Sequence, residues 1–281
     1  MKNQNIETIN CCICNNNKPK KLKRIRFRNH SLRLVKCKKC DLMFFSPRLS
    51  EEYLKILYCK DHFDQLTNNQ NYIKEDFHEF RKRLKLINKY LKNKTSVLDI
   101  GCCTGNFLIS CKNNEFKTII GIDINKKTNE YCKKLGFKIY EKLPKRKFDL
   151  IHLSDIIEHI GNPNSFIKKT KKNLNKEGII VLTTPNINNP INHLVNIKPD
   201  QHLFYFSKKS ISKLLKKNGF DIITIKRWNR FHPLKNLINT TSANKIRHFL
   251  KIIMLLKLDF IVDELILKNL YTDLLVIAKK N

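Results

Sequence analysis

The sequence predicts an α/β protein: a doubly wound, mostly parallel sheet with an antiparallel last strand, preceded by a small cysteine module. Three observations carry this. From Ser96 onward, short apolar strands alternate with helical segments. A glycine turn follows the first of those strands. Five of the ten cysteines fall within the first 40 residues, ahead of that pattern.

The module comes first, over residues 1–48. Cys11-Cys12-Ile13-Cys14 and Cys37-Lys38-Lys39-Cys40 make two C-x2-C knuckles separated by 22 residues. Four thiolates at this spacing suit a closed tetrahedral structural zinc, which would supply the stability that so short a segment cannot draw from a core of its own. The predicted ligands are Cys11, Cys14, Cys37 and Cys40, with Cys12 left over. The β-prone Leu32-Arg33-Leu34-Val35 lies between the knuckles, and a zinc-ribbon-like module is expected.

A helical connector over 49–94 follows. It opens with an acidic-started helix near Ser50–Tyr58, passes through a polar stretch at 60–71 read as loop, and ends in an amphipathic helix. There Phe77, Phe80, Leu84, Ile87 and Leu91 recur at steps of three and four. The remainder, 95–281, is the sheet domain. Its strands are expected at Ser96–Ile100, Thr118–Asp123, Phe137–Tyr140, Phe148–Leu153, Gly178–Thr183, Asp221–Trp228 and Thr272–Ala278, and Ser207 caps a helix that runs to Gly219. An insertion at 231–270 separates the last two strands. Because no simple helical crossover joins them, they should end the sheet as a hairpin.

Charge has to be weighed before function. The chain has 281 residues and a formal charge of +32, from 56 Lys+Arg against 24 Asp+Glu. Lys outnumbers Arg by 45 to 11, and Lys, Asn and Ile together make 113 residues against 2 Ala. That is the signature of an AT-rich gene, whereas a nucleic-acid face favours the Arg fork. The excess therefore argues for codon bias more than for a polyanionic partner. No run of about 18 apolar residues predicts a membrane span. The polar start lacks the apolar stretch of a signal peptide, so a reducing cytoplasmic setting is expected. The stretch 245–268, with Phe249, Ile252, Ile253, Leu256, Phe260 and Ile261, is apolar enough to cap a pocket or rest on a membrane surface.

The chemistry concentrates at Val97-Leu98-Asp99-Ile100-Gly101-Cys102-Cys103-Thr104-Gly105: a buried strand, a tight glycine turn and a helix start. Glycines there let a ligand approach the backbone, and Asp123 at the end of the next strand can accept two ribose hydroxyls. The loop lacks the Gly-Lys-Ser/Thr of a nucleotide-triphosphate loop.

These residues, with Phe148-Asp149-Leu150-Ile151, Glu158-His159, Thr184-Pro185-Asn186 and His202-Leu203-Phe204-Tyr205-Phe206-Ser207, resemble the class I S-adenosylmethionine-dependent methyltransferases, which have a Rossmann-like sheet. The look is nearest to the ubiquinone-biosynthesis-type group, and the Cys module resembles the zinc-binding N-terminal module of sugar C-methyltransferases. Two departures stand out: Cys103 replaces the family's usual middle glycine, and the sequence ends soon after the expected methyltransferase sheet, where those sugar enzymes carry a further C-terminal domain.

The resemblance implies that Asp99, Gly101 and Gly105 line the methionine end of S-adenosylmethionine and that Asp123 holds the ribose. Glu141 or Leu143 would lie near adenine, and Asp155 near the sulfonium. It further implies methyl transfer to O or C of a small-molecule, sugar or lipid-linked glycan acceptor, with His202 as general base and His159 next in line. Asp155, Glu158 and His159, at i, i+3 and i+4, would share one face if helical, and a similar set binds a divalent cation in some ubiquinone O-methyltransferases.

Two alternatives stay open. One is an rRNA or tRNA methyltransferase that uses the basic surface and the ribbon to hold RNA. Against it, strand four ends in Leu153-Ser154-Asp155-Ile156, and Phe27 is the one aromatic ring of the Phe, Tyr or Trp type between the knuckles. The other is a non-catalytic protein that kept the fold.

Overall fold

The computed structural model describes residues 5–58, 70–189, 197–229 and 272–281, together with His248 and Ile252. In chain order the elements are β1 (Ile6–Glu7), β2 (Lys20–Phe27), β3 (His30–Lys36), β4 (Met43–Phe45), β5 (Arg48–Leu49), α1 (Glu51–Tyr58) and α2 (Gln70–Ile87). Then follow β6 (Ser96–Ile100), α3 (Asn106–Lys112), β7 (Thr118–Ile122), α4 (Lys126–Lys134), β8 (Lys138–Tyr140), β9 (Phe148–Ser154), α5 (Pro163–Lys172) and β10 (Leu174–Pro185). The chain ends with β11 (Phe204–Tyr205), α6 (Lys208–Lys217), β12 (Phe220–Asn229) and β13 (Thr272–Lys280).

The main sheet has seven strands in the order β12-β13-β10-β9-β6-β7-β8. Neighbours from β10 to β8 are parallel, and β13 runs antiparallel to both β10 and β12. The mixed sheet with a terminal antiparallel pair is the predicted one. Its central strands read as continuous apolar runs because helices cover both faces. One face packs into a core with Leu98, Ile120, Ile151, Ile180 and Val276, and the other into a core with Phe80, Leu84, Ile87 and Leu91 of the α2 segment. The stripe read from the sequence thus reaches the sheet, although the helix starts at Gln70, inside the stretch read as loop. Residues 59–69 lie outside the described ones, as does all of 231–270 apart from His248 and Ile252.

The chain steps from β6 outward to β7 and β8, then returns to the other side of β6 with β9. This reversal opens a crevice at the carboxyl ends of β6 and β9. Register aligns those ends: Ile100 pairs with Ile122 and with Leu153, and Ile122 pairs with Tyr140. Gly101, Asp123 and Glu141 therefore follow their strands at the level of Ser154, the last residue of β9.

The opposite end is tied by Asp149, which is buried. Its Oδ2 accepts from the Ser96 N–H and hydroxyl, both at 2.9 Å, and its Oδ1 from Asn175 Nδ2 at 2.6 Å.

The N-terminal module is not free-standing. Its sheet has the order β11-β4-β3-β2, so a strand from the far end of the chain completes it. Phe204 pairs with Phe44 and Tyr205 with Met43, and the rings of Phe45 and Tyr205 meet edge to face at 6.1 Å. Arg48 fastens the same junction. Its guanidinium donates to Glu7 at 2.8 Å and lies 5.5 Å from the centre of the Phe204 ring. From α6, Lys217 Nζ donates to the Ile13 carbonyl of the first knuckle at 2.6 Å.

Asp149→Ala should strip three hydrogen bonds from β6 and β10, leave buried donors unpaired, and lower unfolding stability by about 3 kcal/mol. Urea denaturation checks this; an unchanged midpoint would mean that the sheet's amino end is held elsewhere.

Candidate functional site

The glycine turn is shaped by backbone requirements. Gly101 and Gly105 take φ of 79° and 74°, and a Cβ on Gly101 would collide with Ile156 Cδ1. Between them Cys103 also lies in the left-handed region, at φ 44°. A glycine would take this conformation without cost, and Cys103 meets it under strain. The Gly101 and Cys102 N–H groups donate to the Ile122 carbonyl at 2.7 and 3.1 Å, locking the turn against the end of β7.

Asp123 follows directly. Its carboxylate accepts from the Cys103 N–H (3.1 Å) and the Asn125 N–H (2.9 Å), so turn and acid form one unit. Burial raises the pKa of this carboxyl above its ordinary value, and the two N–H donors oppose the rise. Glu141 is exposed one residue beyond β8, beside Asp123 in register, and Leu143 packs partly buried against the main core.

Asp99 is 2% exposed and forms part of a buried chain that sequence reading missed. His152 Nδ1 lies 2.7 Å from Asp99 Oδ1, and Arg83 Nη1 lies 3.0 Å from His152 Nε2. Since Arg83 can only donate, Nε2 accepts and Nδ1–H donates to Asp99. The imidazole stacks on Phe107 with centroids 3.7 Å apart, and Arg83 lies against the Phe80 ring. The signal in the sequence was a histidine in the apolar strand Phe148–Ser154 and an arginine three residues past Phe80 in the apolar stripe; neither carries a motif.

Beyond β9 the sequence expectation needs correction. Asp155, Glu158 and His159 do not share an α-helical face. The strand runs through Ser154, Asp155 sits at φ 51°, and only a 3₁₀ turn forms over Ile157–His159. Asp155 Oδ1 accepts from Thr183 Oγ1 at 3.1 Å, so the acid is held at the end of β10. The group whose donor atoms all lie within 4.8 Å of one another is Glu158, His159 and His202. His202 replaces Asp155 in it, because the Leu203 N–H donates to the Glu158 carbonyl and draws that loop onto the turn. His159 Nδ1 donates to the Gln201 carbonyl at 2.7 Å, and the two imidazoles meet edge to face at 5.0 Å. Glu158 is 1% exposed and accepts from Thr184 Oγ1. Burial first, then the Asp155 charge, pushes its carboxyl well above the usual range.

In the N-terminal module the four cysteines converge. Sulfur separations are 3.4 Å for Cys11–Cys40 and for Cys14–Cys37, and 3.9 Å for Cys14–Cys40. A tetrahedral ion with sulfur bonds of about 2.3 Å needs edges of about 3.8 Å, so the donor set fits one metal. The knuckles repeat each other: the N–H of Asn15 donates to Cys11 and that of Asp41 to Cys37, with φ of 54° and 63°. The hydrogen bond between the Cys11 and Cys40 sulfurs lowers the pKa of the Cys11 thiol to about 5, against the effect of its burial.

A family profile described as a methyltransferase domain matches residues 72–225, more than half of the chain. The chain belongs to this family. Together with the sheet order and the turn–Asp123 unit, this makes it a class I S-adenosylmethionine-dependent methyltransferase.

Among curated proteins, this methyltransferase is 31% identical over 217 residues to a ubiquinone biosynthesis O-methyltransferase of Pelagibacter ubique; the match covers 64% of this chain and 84% of that one. Among solved structures it is similar to 1,6-didemethyltoxoflavin-N1-methyltransferase of Burkholderia thailandensis (10% identity, TM-score 0.57, 92% of this chain and all of that one). It is also similar to the YcgJ protein of Bacillus subtilis (17% identity, TM-score 0.51, 73% and 99%). These structural likenesses bear on the fold. Among the described residues no helix is long and apolar enough to cross a membrane.

His152 makes a pH prediction. Burial, with Arg83 adding, pulls its pKa below the ordinary 6.5 in spite of Asp99. The folded state therefore binds the proton less readily than the unfolded chain, and the stability His152 contributes is present above about pH 6.5 and lost as pH falls. The stability advantage of wild type over His152→Gln should shrink between about pH 7 and 5, by at most about 1.4 kcal/mol per unit. A difference that stays flat would mean that the imidazole has the same pKa folded and unfolded, and one that grows as pH falls would mean that the fold favours its charged form.

Proposed function

We propose that this methyltransferase methylates O or C of a small-molecule, sugar or lipid-linked glycan acceptor, with His202 as general base. The observation that carries the reading is the Glu158–His159–His202 group, gathered beside Asp155 at the carboxyl edge where the glycine turn and Asp123 also stand.

The residues fit S-adenosylmethionine. A turn stripped of side chains at Gly101 and Gly105 lets the methionine end approach the backbone, with Asp99 oriented beside it by His152. Asp123 would accept the ribose hydroxyls, Glu141 and Leu143 would flank adenine, and Asp155 would sit near the sulfonium. The cofactor supplies an electrophilic methyl carbon. The protein's part is to hold nucleophile, carbon and sulfur in line, and to take up the acceptor proton. The Gln201 carbonyl accepts from His159 Nδ1, which fixes the orientation of that ring beside His202. Burial and the neighbouring Asp155 charge raise the pKa of the Glu158 carboxyl well above its ordinary value, which favours its neutral form.

Calorimetry with S-adenosylhomocysteine tests the assignment. Asp123→Ala should weaken binding by about 1–3 kcal/mol. His202→Ala should keep that affinity while turnover of the acceptor falls by about 10²–10⁴. Normal turnover, or lost cofactor binding, in the His202 variant would pass the role of base to His159.

Zinc is the ion we assign to Cys11, Cys14, Cys37 and Cys40, since four thiolates close the site and leave no position for chemistry. Metal analysis of purified protein should give about one equivalent, and Cys37→Ser should lose it. Retention by that variant would point to another ligand set.

A further inference from the structure

The N-terminal sheet carries a cavity of about 590 Å³ that methyl transfer does not use. Its lining includes Lys18, Lys21, Arg24 and Arg33 together with Ser31, and no carboxylate. Among the described residues no ion pair uses any of these four cations.

The strand register brings like charges together at this cavity. Arg24 on β2 stands directly opposite Arg33 on β3. Like charges so placed destabilise a strand pair. Arg33 has no other face to turn to: Leu32 and Leu34 point into the core at 0% and 2% exposure, so Ser31, Arg33 and Val35 share the cavity face. A bulge between Lys21 and Lys23 adds to the charge. Residues 21 and 24 of a regular strand face opposite ways; the extra residue brings both to the same cavity.

Codon bias does not explain the arginines. They are 11 of 56 basic residues in the chain, yet Arg24, Arg26, Arg28, Arg33 and Arg48 all fall in the first 48 positions. The guanidinium fork is the side chain that holds oxyanions bidentately. No aromatic ring lines the cavity, so it offers nothing for a base to stack on. Its volume is that of a site for one small molecule.

We infer that this cavity binds the phosphate or diphosphate group of a small molecule, through Arg24 and Arg33 with Lys18 and Lys21 around them. The site stands on the N-terminal sheet alone and is independent of the acceptor proposed above.

Calorimetry on the full chain, saturated with S-adenosylhomocysteine to keep the cofactor site filled, tests it with inorganic phosphate, inorganic pyrophosphate and uridine diphosphate. Pyrophosphate should bind saturably. Tighter uridine diphosphate would assign the site to an organic diphosphate, and equal affinity to the free anion. The double variant Arg24→Ser/Arg33→Ser should bind about tenfold or more weakly. Lys168→Ser/Lys169→Ser, which removes two charges from the exposed face of α5, should bind as wild type does. Should the arginine variant lose S-adenosylhomocysteine binding and so fail to fold, Lys21→Ser alone should still weaken pyrophosphate.

The inference is overturned if no phosphate binds saturably, or if the α5 variant loses as much affinity as the arginine variant. It is overturned equally if a single-stranded RNA oligonucleotide binds more tightly than pyrophosphate and is lost in the same arginine variant, which would make this face a polynucleotide surface.

Discussion

The pairing of β4 with β11 is the contact on which the rest of this molecule depends. Two short strands, Met43–Phe45 and Phe204–Tyr205, exchange backbone hydrogen bonds across most of the chain length. Neither is long enough to persist alone. Phe44, Phe45, Phe204 and Tyr205 are all at most 3% exposed, and they belong to the same core cluster as Leu98, Ile151 and Ile180 of the main sheet. The cysteine module therefore does not build a separate core. It borrows one, with Arg48 and α6 bridging the seam.

That seam reaches the chemistry through chain connectivity. His202 lies two residues before β11, and Leu203 between them donates to the Glu158 carbonyl. The loop that carries His202 is pinned on one side by the N-terminal sheet and on the other by the 3₁₀ turn after β9. A histidine held in this way keeps its place beside His159 without a regular element of its own. On the cofactor side, the comparable constraint is the shared hydrogen bonding of the glycine turn, the end of β7 and Asp123. Asp99 is set by a different route, through His152 and Arg83, so α2 outside the sheet also helps fix the floor of the crevice.

Electrostatics divides the molecule in two. In the crevice, Asp123 and Glu158 are both shifted toward the neutral form by burial. Around the cavity of the N-terminal sheet, the lining gathers cations without carboxylates. The overall charge of +32 says little about either, because most of it is lysine scattered over solvated faces.

Much of this was written in the linear sequence. Strand positions were legible to within a few residues, since parallel strands buried on both faces are unbroken apolar runs, as in Val97–Ile100 and Ile179–Leu182. The knuckles, the glycine turn, Asp123 and the Ser207 cap were legible because each is a local pattern with a local cause. What the sequence could not determine is which distant residues meet. Helical spacing suggested that Asp155, Glu158 and His159 share a face, but the positive φ at Asp155 ends that regularity and loop 198–203 brings His202 in its place. The Arg83–His152–Asp99 chain, the β4–β11 pair and the Arg24–Arg33 opposition likewise join separate elements. Their free energy comes from burial and register across the fold, and one-dimensional spacing encodes neither.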